Sequence, residues 1–419
     1  MSRRGRLVLV AEPARTRGPD GSGRIGAVDG LRAVAVAGVI AFHFGLGVPG
    51  GFLGVDLFFV ISGYVITRLL LMEWHRTGSI DWARFWGRRA RRLLPAVMVV
   101  LVAVQVWLRL GALPELRSTT DAQTVMALIY VSNWYAIFAD LGYWGALVNG
   151  TPLIHLWSLA VEEQFYLVWP LLFIAVLVTT RSRRVLAAVA GVGAAASYAT
   201  GMLLFRSEGS DRVYLGTDTR CGALLLGVLC ALALTRSTPG PDGTWDRWLP
   251  ARWRGTAWPV LALAVTALAA LWATAGIQSG WLYEGGLLVA GVSAAIVIAH
   301  LVTAPGSVPA RVLGARPVVW VGRLSYSLYL WHWPVHVYAT HRWSRLDRPL
   351  LQATEIAVTL ALGFASFRWV ETPSRRVRRP FVLATPLLAC GLVVLGSTMF
   401  AHPGSPAEQE TGVVVHGRP

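Results

Sequence analysis

Lysine is missing from this sequence, and charged residues of either sign are scarce. All 38 basic residues are arginine, only 14% of the 419 residues are charged, and the mean hydropathy is +0.53. Soluble domains carry roughly 25% charged residues, so these values exclude an ordinary soluble protein. The composition predicts an all-α integral membrane protein, because a helix satisfies its own backbone hydrogen bonds in lipid.

Several catalytic signatures are also missing. The sequence has no glycine-rich phosphate loop with Lys and Ser or Thr, no His-Glu-x-x-His and no Cys-x-x-Cys, which disfavours an ATP-driven pump and a zinc protease. It has no serine nucleophile elbow either. The cysteines Cys221, Cys230 and Cys390 lie in apolar runs without metal-ligand spacing, so we expect neither a disulfide framework nor a metal site.

The formal net charge of +16 comes from arginine clusters beside apolar runs, and no nucleic-acid recognition motif accompanies it. We expect no nucleic-acid partner and interpret the clusters as contacts to anionic membrane lipid that also fix topology. The clusters predict a cytoplasmic N-terminus and an outer C-terminus. They comprise Arg3, Arg4, Arg6, Arg15 and Arg17; Arg84, Arg88, Arg89, Arg91 and Arg92; Arg181, Arg183 and Arg184; and Arg375, Arg376, Arg378 and Arg379.

Apolar runs long enough to cross a bilayer predict about eleven helices. They lie near 27–46, 52–72, 94–113, 156–179, 185–205, 218–235, 257–275, 282–303, 317–339, 350–370 and 381–401. The aromatic, semi-polar segment 121–146 is predicted to be re-entrant or interfacial. The predicted organisation is a flexible basic cytoplasmic arm at 1–24, a membrane core at 25–379, an additional span at 380–401 and a short extracytoplasmic tail at 402–419.

An arginine and a histidine share the first predicted span. Arg32 and His43 are eleven positions apart in an otherwise apolar run, so they fall within roughly 20° of one helix face and about 16 Å apart. Ionisable groups inside a membrane segment are costly and indicate a functional site that faces the protein interior. Three other predicted spans bring Asp56, Glu162 and His332 to a similar depth.

His43 is a candidate general base, because a buried neutral histidine can take a proton from an attacking hydroxyl. A carboxylate hydrogen-bonded to His43 would hold its tautomer and stabilise the imidazolium that forms. Asp56 and Glu162 are both candidates for this carboxylate, and the sequence does not distinguish between them. A purely structural His43, bonded to a neighbouring helix, is the simpler interpretation. Buried His and Glu also form proton relays, so a carrier or flippase for an acylated lipid or sugar is the alternative function.

The segment FWGRRARRLLPA carries more arginine than topology requires. Arg89 and Arg92 are one helical turn apart and can present two forks to phosphate, which suits a coenzyme A thioester. Alternatively, this cluster, which includes Arg88, only fixes orientation. Asp29 and Arg32, spaced i, i+3, form either a local ion pair or the polar wall of a cytoplasmic ligand entrance.

Taken in order, these motifs resemble acyltransferase family 3 of the membrane-bound O-acyltransferases. The resemblance runs from about Gly26 to Arg376, through DGLRAVAVAGVIAFHF, GGFLGVDLFFVISGYVIT, FWGRRARRLLPA, LWSLAVEEQFYLVWPLL, VGRLSYSLYLWHWPVH and RWVETPSRR. It implies a ten-span core, here with one further C-terminal span and without a fused SGNH hydrolase-like domain. It also implies transfer of an acyl group, usually acetyl, from cytoplasmic acyl-CoA to a hydroxyl of a cell-envelope carbohydrate or glycoside.

The resemblance also implies residue roles. His43 is the expected catalytic histidine with Arg32 as its companion, Glu162 supports the site, and Arg89 and Arg92 bind the phosphates of the donor. Family-typical positions also include Asp29, Ser325 and Tyr326, which are expected to bind substrate. The position in or beside the predicted spans, and not the resemblance, adds Asp56 to the expected catalytic residues, Arg88 to the donor-binding residues, and Glu163 and His332 to the substrate-binding residues. Acyl-CoA is the expected donor substrate, with no tightly bound cofactor and no metal. The expected partners are membrane lipid, the acceptor and a separate extracytoplasmic transferase, at the bacterial cytoplasmic membrane.

Overall fold

The computed structural model describes most of the chain as a bundle of helices. The described residues are 24–110, 116–145, 150–238, 240, 251–343 and 345–377, apart from the side chains of 251–256. No β-strand occurs among them. The predicted arm up to residue 23, the predicted span at 381–401 and the predicted tail at 402–419 lie outside the described residues.

The helices are numbered in chain order. They are α1 (Gly26–His43), α2 (Gly54–Thr77), α3 (Trp82–Arg109), α4 (Arg117–Leu128), α5 (Ser132–Phe138), α6 (Trp157–Thr180), α7 (Arg183–Leu215), α8 (Thr217–Leu234), α9 (Ala251–Thr274), α10 (Leu287–Thr303), α11 (Val308–Leu313), α12 (Arg316–Arg342), α13 (Arg348–Ala365) and α14 (Thr372–Arg376). Short 3₁₀ turns at Gly51–Leu53 and Ile154–Leu156 lead into α2 and α6, and π-helical turns at Leu282–Gly286 and Ser366–Glu371 lead into α10 and α14.

In the described residues, nine helical stretches are long and apolar enough to cross a membrane. They coincide with nine of the predicted spans, so the chain is an all-α integral membrane protein, as predicted. The predicted span at 317–339 also forms a long helix, α12, but its Arg, Ser, Tyr and His side chains lower its hydropathy below that of the nine. The segment 121–146 contains most of α4 and all of α5, which are too short to cross a bilayer.

Glycines allow the closest contacts between helices. A Cβ added at Gly63 of α2 would lie 1.8 Å from the carbonyl oxygen of Leu224 in α8, and one added at Gly322 of α12 would lie 1.7 Å from that of Asp29 in α1. Without side chains at these positions the backbones approach each other directly, as is common in membrane bundles. These contacts pack α2 against α8, and α12 against α1.

The chain reverses direction immediately after α1. Gly45 and Gly47 have φ values of 67° and 78°, a left-handed conformation that glycine adopts without steric cost. The chain then returns through the 3₁₀ turn Gly51–Leu53 into α2. The turn leaves His43 at the last position of α1, beside the beginning of α2.

Candidate active site

His43 is buried, with 9% of its surface exposed, between a tyrosine and a second histidine. Its Nε2 lies 3.0 Å from the hydroxyl oxygen of Tyr143, and its Nδ1 lies 3.1 Å from Nε2 of His332. The indole ring of Trp333 packs edge-on against the imidazole, with ring centroids 5.0 Å apart. Within the described residues, both ring nitrogens of His43 therefore face neutral groups and not a carboxylate.

The sequence analysis considered Asp56 and Glu162 as possible carboxylate partners of His43. Asp56 is not its partner in the structure. Its Oδ2 accepts a hydrogen bond of 2.8 Å from Nη2 of Arg220, and both side chains are only 2% exposed. The guanidinium of Arg220 also lies over the ring of Tyr214, 4.9 Å from its centroid. A carboxylate this deeply buried needs a counter-charge, and α8 supplies one because α2 and α8 pack so closely. Asp56 thus joins two helices.

Glu162, the other carboxylate considered, also has different partners from those expected. Its two oxygens accept hydrogen bonds from the hydroxyls of Ser62, at 2.9 Å, and Tyr166, at 3.0 Å. Its side chain lines a narrow cavity that Arg32 also lines. Glu162 therefore borders a cavity, and its hydrogen bonds go to Ser62 and Tyr166 and not to His43.

The arginines of the α3 cluster have separate environments. Nη2 of Arg89 lies 3.7 Å from Oε1 of Glu163, and its guanidinium lies 3.3 Å from the centroid of the Tyr166 ring. Arg88 is exposed, and its Nη2 lies 3.7 Å from Oε2 of Glu73. Neither residue lines the two cavities described next.

The first cavity has a volume of about 200 Å³ and lies near the beginning of α1, at the end opposite His43. Besides apolar side chains, its lining contains four arginines, Arg24, Arg32, Arg68 and Arg92, and one carboxylate, that of Asp29. Asp29 accepts two hydrogen bonds from Arg24, of 3.1 and 3.2 Å. The Nε atoms of Arg32 and Arg92 are buried and have no hydrogen-bond partner among the described residues. The guanidinium groups outnumber the carboxylate, so the lining of this cavity carries a net positive charge.

The geometry at Asp29 favours one of the two interpretations considered from the sequence. Asp29 pairs with Arg24 and not with Arg32, and both Asp29 and Arg32 line the same cavity. They form a polar wall of the kind expected at a ligand entrance.

The second cavity, of about 50 Å³, shares one lining residue, Arg32, with the first. Its remaining walls come from α2, α6 and α12: Val55, Phe58, Phe59, Ser158, Leu159, Glu162, Ser325, Tyr326 and Tyr329. Tyr326 also donates a hydrogen bond of 2.9 Å to the carbonyl oxygen of Leu93. The backbone carbonyl oxygen of Tyr329 lies 2.5 Å from Nδ1 of His332. Tyr329 therefore lines the second cavity and, through its backbone carbonyl one turn earlier on α12, contacts His332.

Residues 25–370 match the model of a family described as the acyltransferase domain. The chain belongs to this acyltransferase family. The resemblance predicted from the sequence motifs is confirmed. No solved structure matches the chain.

Three curated relatives are similar to this family member over most of its length. They are the peptidoglycan O-acetyltransferase OatA of Listeria monocytogenes (35% identical over 361 residues), the putative peptidoglycan O-acetyltransferase YrhL of Bacillus subtilis (39% over 352) and the O-acetyltransferase OatA of Staphylococcus aureus (36% over 351). Each match covers 83% of this chain and 55%, 54% and 57% of the respective relative. The chain therefore spans about half the length of the curated relatives it matches.

Sequence reasoning missed Tyr143, although it lies in the aromatic segment 121–146. The backbone N–H of Trp144 donates a hydrogen bond of 3.0 Å to Asp211 in α7, which ties this segment to the bundle. The Tyr143 ring packs against Tyr214, with centroids 5.2 Å apart. Burial raises the pKa of the Tyr143 hydroxyl above its usual value, so the group stays protonated and can donate to His43. The aromatic content of the segment was the available signal.

Arg24, Arg68 and Tyr329 are the other site residues that were not predicted. The sequence analysis chose its donor-binding candidates from the dense arginine cluster of α3. Arg24 instead lies just before α1, Arg68 lies in α2 and Tyr329 lies in α12. Of the predicted donor-binding arginines, only Arg92 lines a cavity. Arginines on separate helices show no common sequence pattern, so the sequence alone does not predict that they line one cavity.

Proposed function

We propose that this acyltransferase family member transfers an acyl group, acetyl as the first candidate, from cytoplasmic acyl-CoA to a hydroxyl of a cell-envelope carbohydrate. The observation that carries the proposal is the arginine-lined cavity near the start of α1, the helix whose last residue is the buried His43. The names of two relatives, OatA of Listeria monocytogenes and YrhL of Bacillus subtilis, specify peptidoglycan, which is therefore our first acceptor candidate.

The first cavity is suited to the phosphates of coenzyme A. Guanidinium groups bind phosphate through two parallel hydrogen bonds, and the unpartnered Nε atoms of Arg32 and Arg92 have capacity for such bonds. The proposal assigns donor binding to the arginines of this cavity in place of Arg88 and Arg89. The cavity lies at the arginine-rich end of the bundle, which the positive-inside rule assigns to the cytoplasm.

His43 acts as the general base in the proposed reaction. Its Nε2 takes the proton of an acceptor hydroxyl as the oxygen attacks the thioester carbonyl carbon. A C–O bond forms, the tetrahedral intermediate collapses, and the C–S bond breaks. The departing thiolate takes the proton from the imidazolium, which gives an ester and free coenzyme A. The hydroxyl of Tyr143, 3.0 Å from this nitrogen, marks where a hydroxyl can lose its proton to His43.

The remaining parts of the proposal concern topology and partners. We infer a multi-pass protein of the bacterial cytoplasmic membrane with its N-terminus inside, because the arginine clusters lie at one end of the predicted spans. The C-terminus outside and a separate extracytoplasmic transferase stay predictions of the sequence.

The test is His43→Ala in proteoliposomes that receive labelled acetyl-CoA and a peptidoglycan-type glycan. We expect acceptor labelling to fall at least about 100-fold, the usual contribution of a general base. His300→Ala is the matched control, because His300 is a buried histidine on α10 that lines neither cavity. Mass spectrometry of the glycan distinguishes a new ester from label that was only transported. Undiminished ester formation by His43→Ala would contradict the proposal.

A further inference from the structure

A continuous chain of hydrogen bonds starts at one backbone carbonyl and ends at His43. The carbonyl oxygen of Tyr329 lies 2.5 Å from Nδ1 of His332. Nε2 of His332 lies 3.1 Å from Nδ1 of His43, and Nε2 of His43 lies 3.0 Å from the hydroxyl of Tyr143. The chain joins α12, the last residue of α1 and the segment after α5.

The carbonyl determines the direction of every bond in this chain. A carbonyl oxygen only accepts, so Nδ1 of His332 must carry a proton. His332 is 0% exposed and has no carboxylate partner within the described residues, so it is neutral and its Nε2 is an unprotonated acceptor. Nδ1 of His43 therefore carries the proton and donates to His332. The remaining nitrogen, Nε2 of His43, presents a lone pair to the Tyr143 hydroxyl.

The surrounding structure holds His332 in this arrangement. Pro334 in α12 has no N–H, so it cannot donate the intrahelical hydrogen bond that the carbonyl oxygen of Leu330 would otherwise accept. Nε2 of His155 donates to that carbonyl oxygen instead, at 3.2 Å. The Tyr329 hydroxyl donates to the carbonyl oxygen of His155 at 2.8 Å. These reciprocal contacts fix α12 against the turn that carries His155, and with it the position of the His332 ring.

We propose that His332 is a positioning residue: it holds His43 in the tautomer whose Nε2 is free to take a proton from a hydroxyl. The inference rests on the proposed function and deepens it. In many hydrolases a carboxylate orients the catalytic histidine in this way. A neutral histidine does the same here without burying a further charge. Neither His332 nor His43 lines either cavity. The positioning role takes the place of the substrate-binding role predicted for His332 from the sequence, because both of its ring nitrogens are engaged, one with the Tyr329 carbonyl and one with His43.

The kinetic test compares His332→Leu with His332→Gln in the full-length protein. Leucine removes both hydrogen bonds, whereas glutamine can accept from His43 with its oxygen and donate to the Tyr329 carbonyl with its nitrogen. We expect His332→Leu to lower kcat about 100-fold without changing the KM for acyl-CoA, because a base in the wrong tautomer loses its catalytic contribution. His332→Gln should recover at least a tenth of wild-type kcat, roughly the cost of imperfect geometry. His300→Leu is the control.

The outcomes separate positioning from a structural role. Equal loss of kcat in the Leu and Gln variants would overturn the inference, and so would an increase in the KM for acyl-CoA with kcat unchanged. If His332→Leu does not fold, the kcat of His332→Gln relative to wild type and the NMR measurement described next still test the inference.

A second measurement needs no turnover. Solid-state ¹⁵N NMR of histidine-labelled wild-type protein in lipid, with His43 assigned by difference from His43→Ala, reports which ring nitrogen carries the proton. We expect protonated Nδ1 and unprotonated Nε2 in the wild type and in His332→Gln, and a mixture in His332→Leu. A protonated Nε2 in the wild-type protein would overturn the inference. The expected tautomer in a protein without acyl-transfer activity would refute only the proposed function.

Discussion

At the scale of single residues, Asp56 and Glu162 show how neighbouring side chains determine what a buried carboxylate does. Asp56 and Arg220 are each 2% exposed and form an ion pair in the bundle interior. Glu162 accepts from two hydroxyls and borders a cavity, where a molecule can reach it. The buried counter-charge ties Asp56 to α8, whereas Glu162 borders a cavity and has no charged partner among its hydrogen bonds to the described residues.

The Asp56–Arg220 ion pair predicts that removing one charge destabilises the protein more than removing both. Asp56→Leu leaves an uncompensated guanidinium in the interior and should destabilise the protein by about 3–5 kcal/mol. The double variant Asp56→Leu/Arg220→Met removes both charges and should recover most of this loss. Thermal unfolding in detergent measures the difference, with the exposed Asp347→Leu as the control. The prediction fails if Asp56→Leu unfolds no more readily than the control.

At the scale of helices, glycine contacts determine which side chains meet. A Cβ at Gly63 would lie 1.8 Å from the Leu224 carbonyl oxygen, and one at Gly227 would lie 2.1 Å from that of Val60. Contacts this short are incompatible with any side chain unless the backbones separate. The same two helices carry Asp56 and Arg220, so the glycines allow the 2.8 Å ion pair to form.

Gly63→Ala should therefore separate α2 from α8. We expect a loss of at least about 1–3 kcal/mol in unfolding free energy, the usual cost of overpacking. Gly191→Ala on α7 is the control, because a Cβ there meets nothing within 4 Å. The control should be neutral or stabilising, since alanine is the better helix former by about 0.5–1 kcal/mol. Detergent-solubilised protein unfolded by heat gives both values, and equal stability of the two variants would refute this account of the packing.

At the scale of the whole molecule, the site has two chemically different ends. Guanidinium groups line the cavity near the start of α1, and a histidine pair lies at the other end of the same helix. Arg32 lines both cavities between them. This arrangement suits a donor with a phosphate-rich headgroup and a distant reactive group, which is the chemical form of acyl-CoA.

The two-ended arrangement predicts that two neighbouring arginines differ in their effect on the donor. Arg92→Ala removes a cavity-lining guanidinium and should weaken coenzyme A binding about 10-fold or more, the value of a charge-assisted hydrogen bond. Arg89→Ala is the matched control, because Arg89 stacks on Tyr166 and does not line the cavity. Calorimetric titration of the purified protein with coenzyme A measures both. Equal weakening by the two variants would contradict the assignment of the donor to the cavity that Arg92 lines and Arg89 does not.

Much of the fold follows from local properties of the sequence. Hydropathy over about 20 residues predicted the nine spans that the structure confirms, because each membrane helix satisfies its own backbone hydrogen bonds. The ordered motifs predicted the family, and the 3.6-residue period predicted that Arg32 and His43 share one face of α1. These properties belong to single helices, so the order of residues along each helix determines them.

Only the tertiary structure decided which groups meet. Neither candidate carboxylate bonds to His43: Asp56 pairs with Arg220, Glu162 pairs with two hydroxyls, and His332 and Tyr143 contact the imidazole. The sequence predicted a similar depth for His43, Asp56, Glu162 and His332, but it did not predict the rotation of each helix about its axis. That rotation depends on how glycine faces and side chains of different helices fit together, and such a fit is a property of pairs of helices that no single segment encodes.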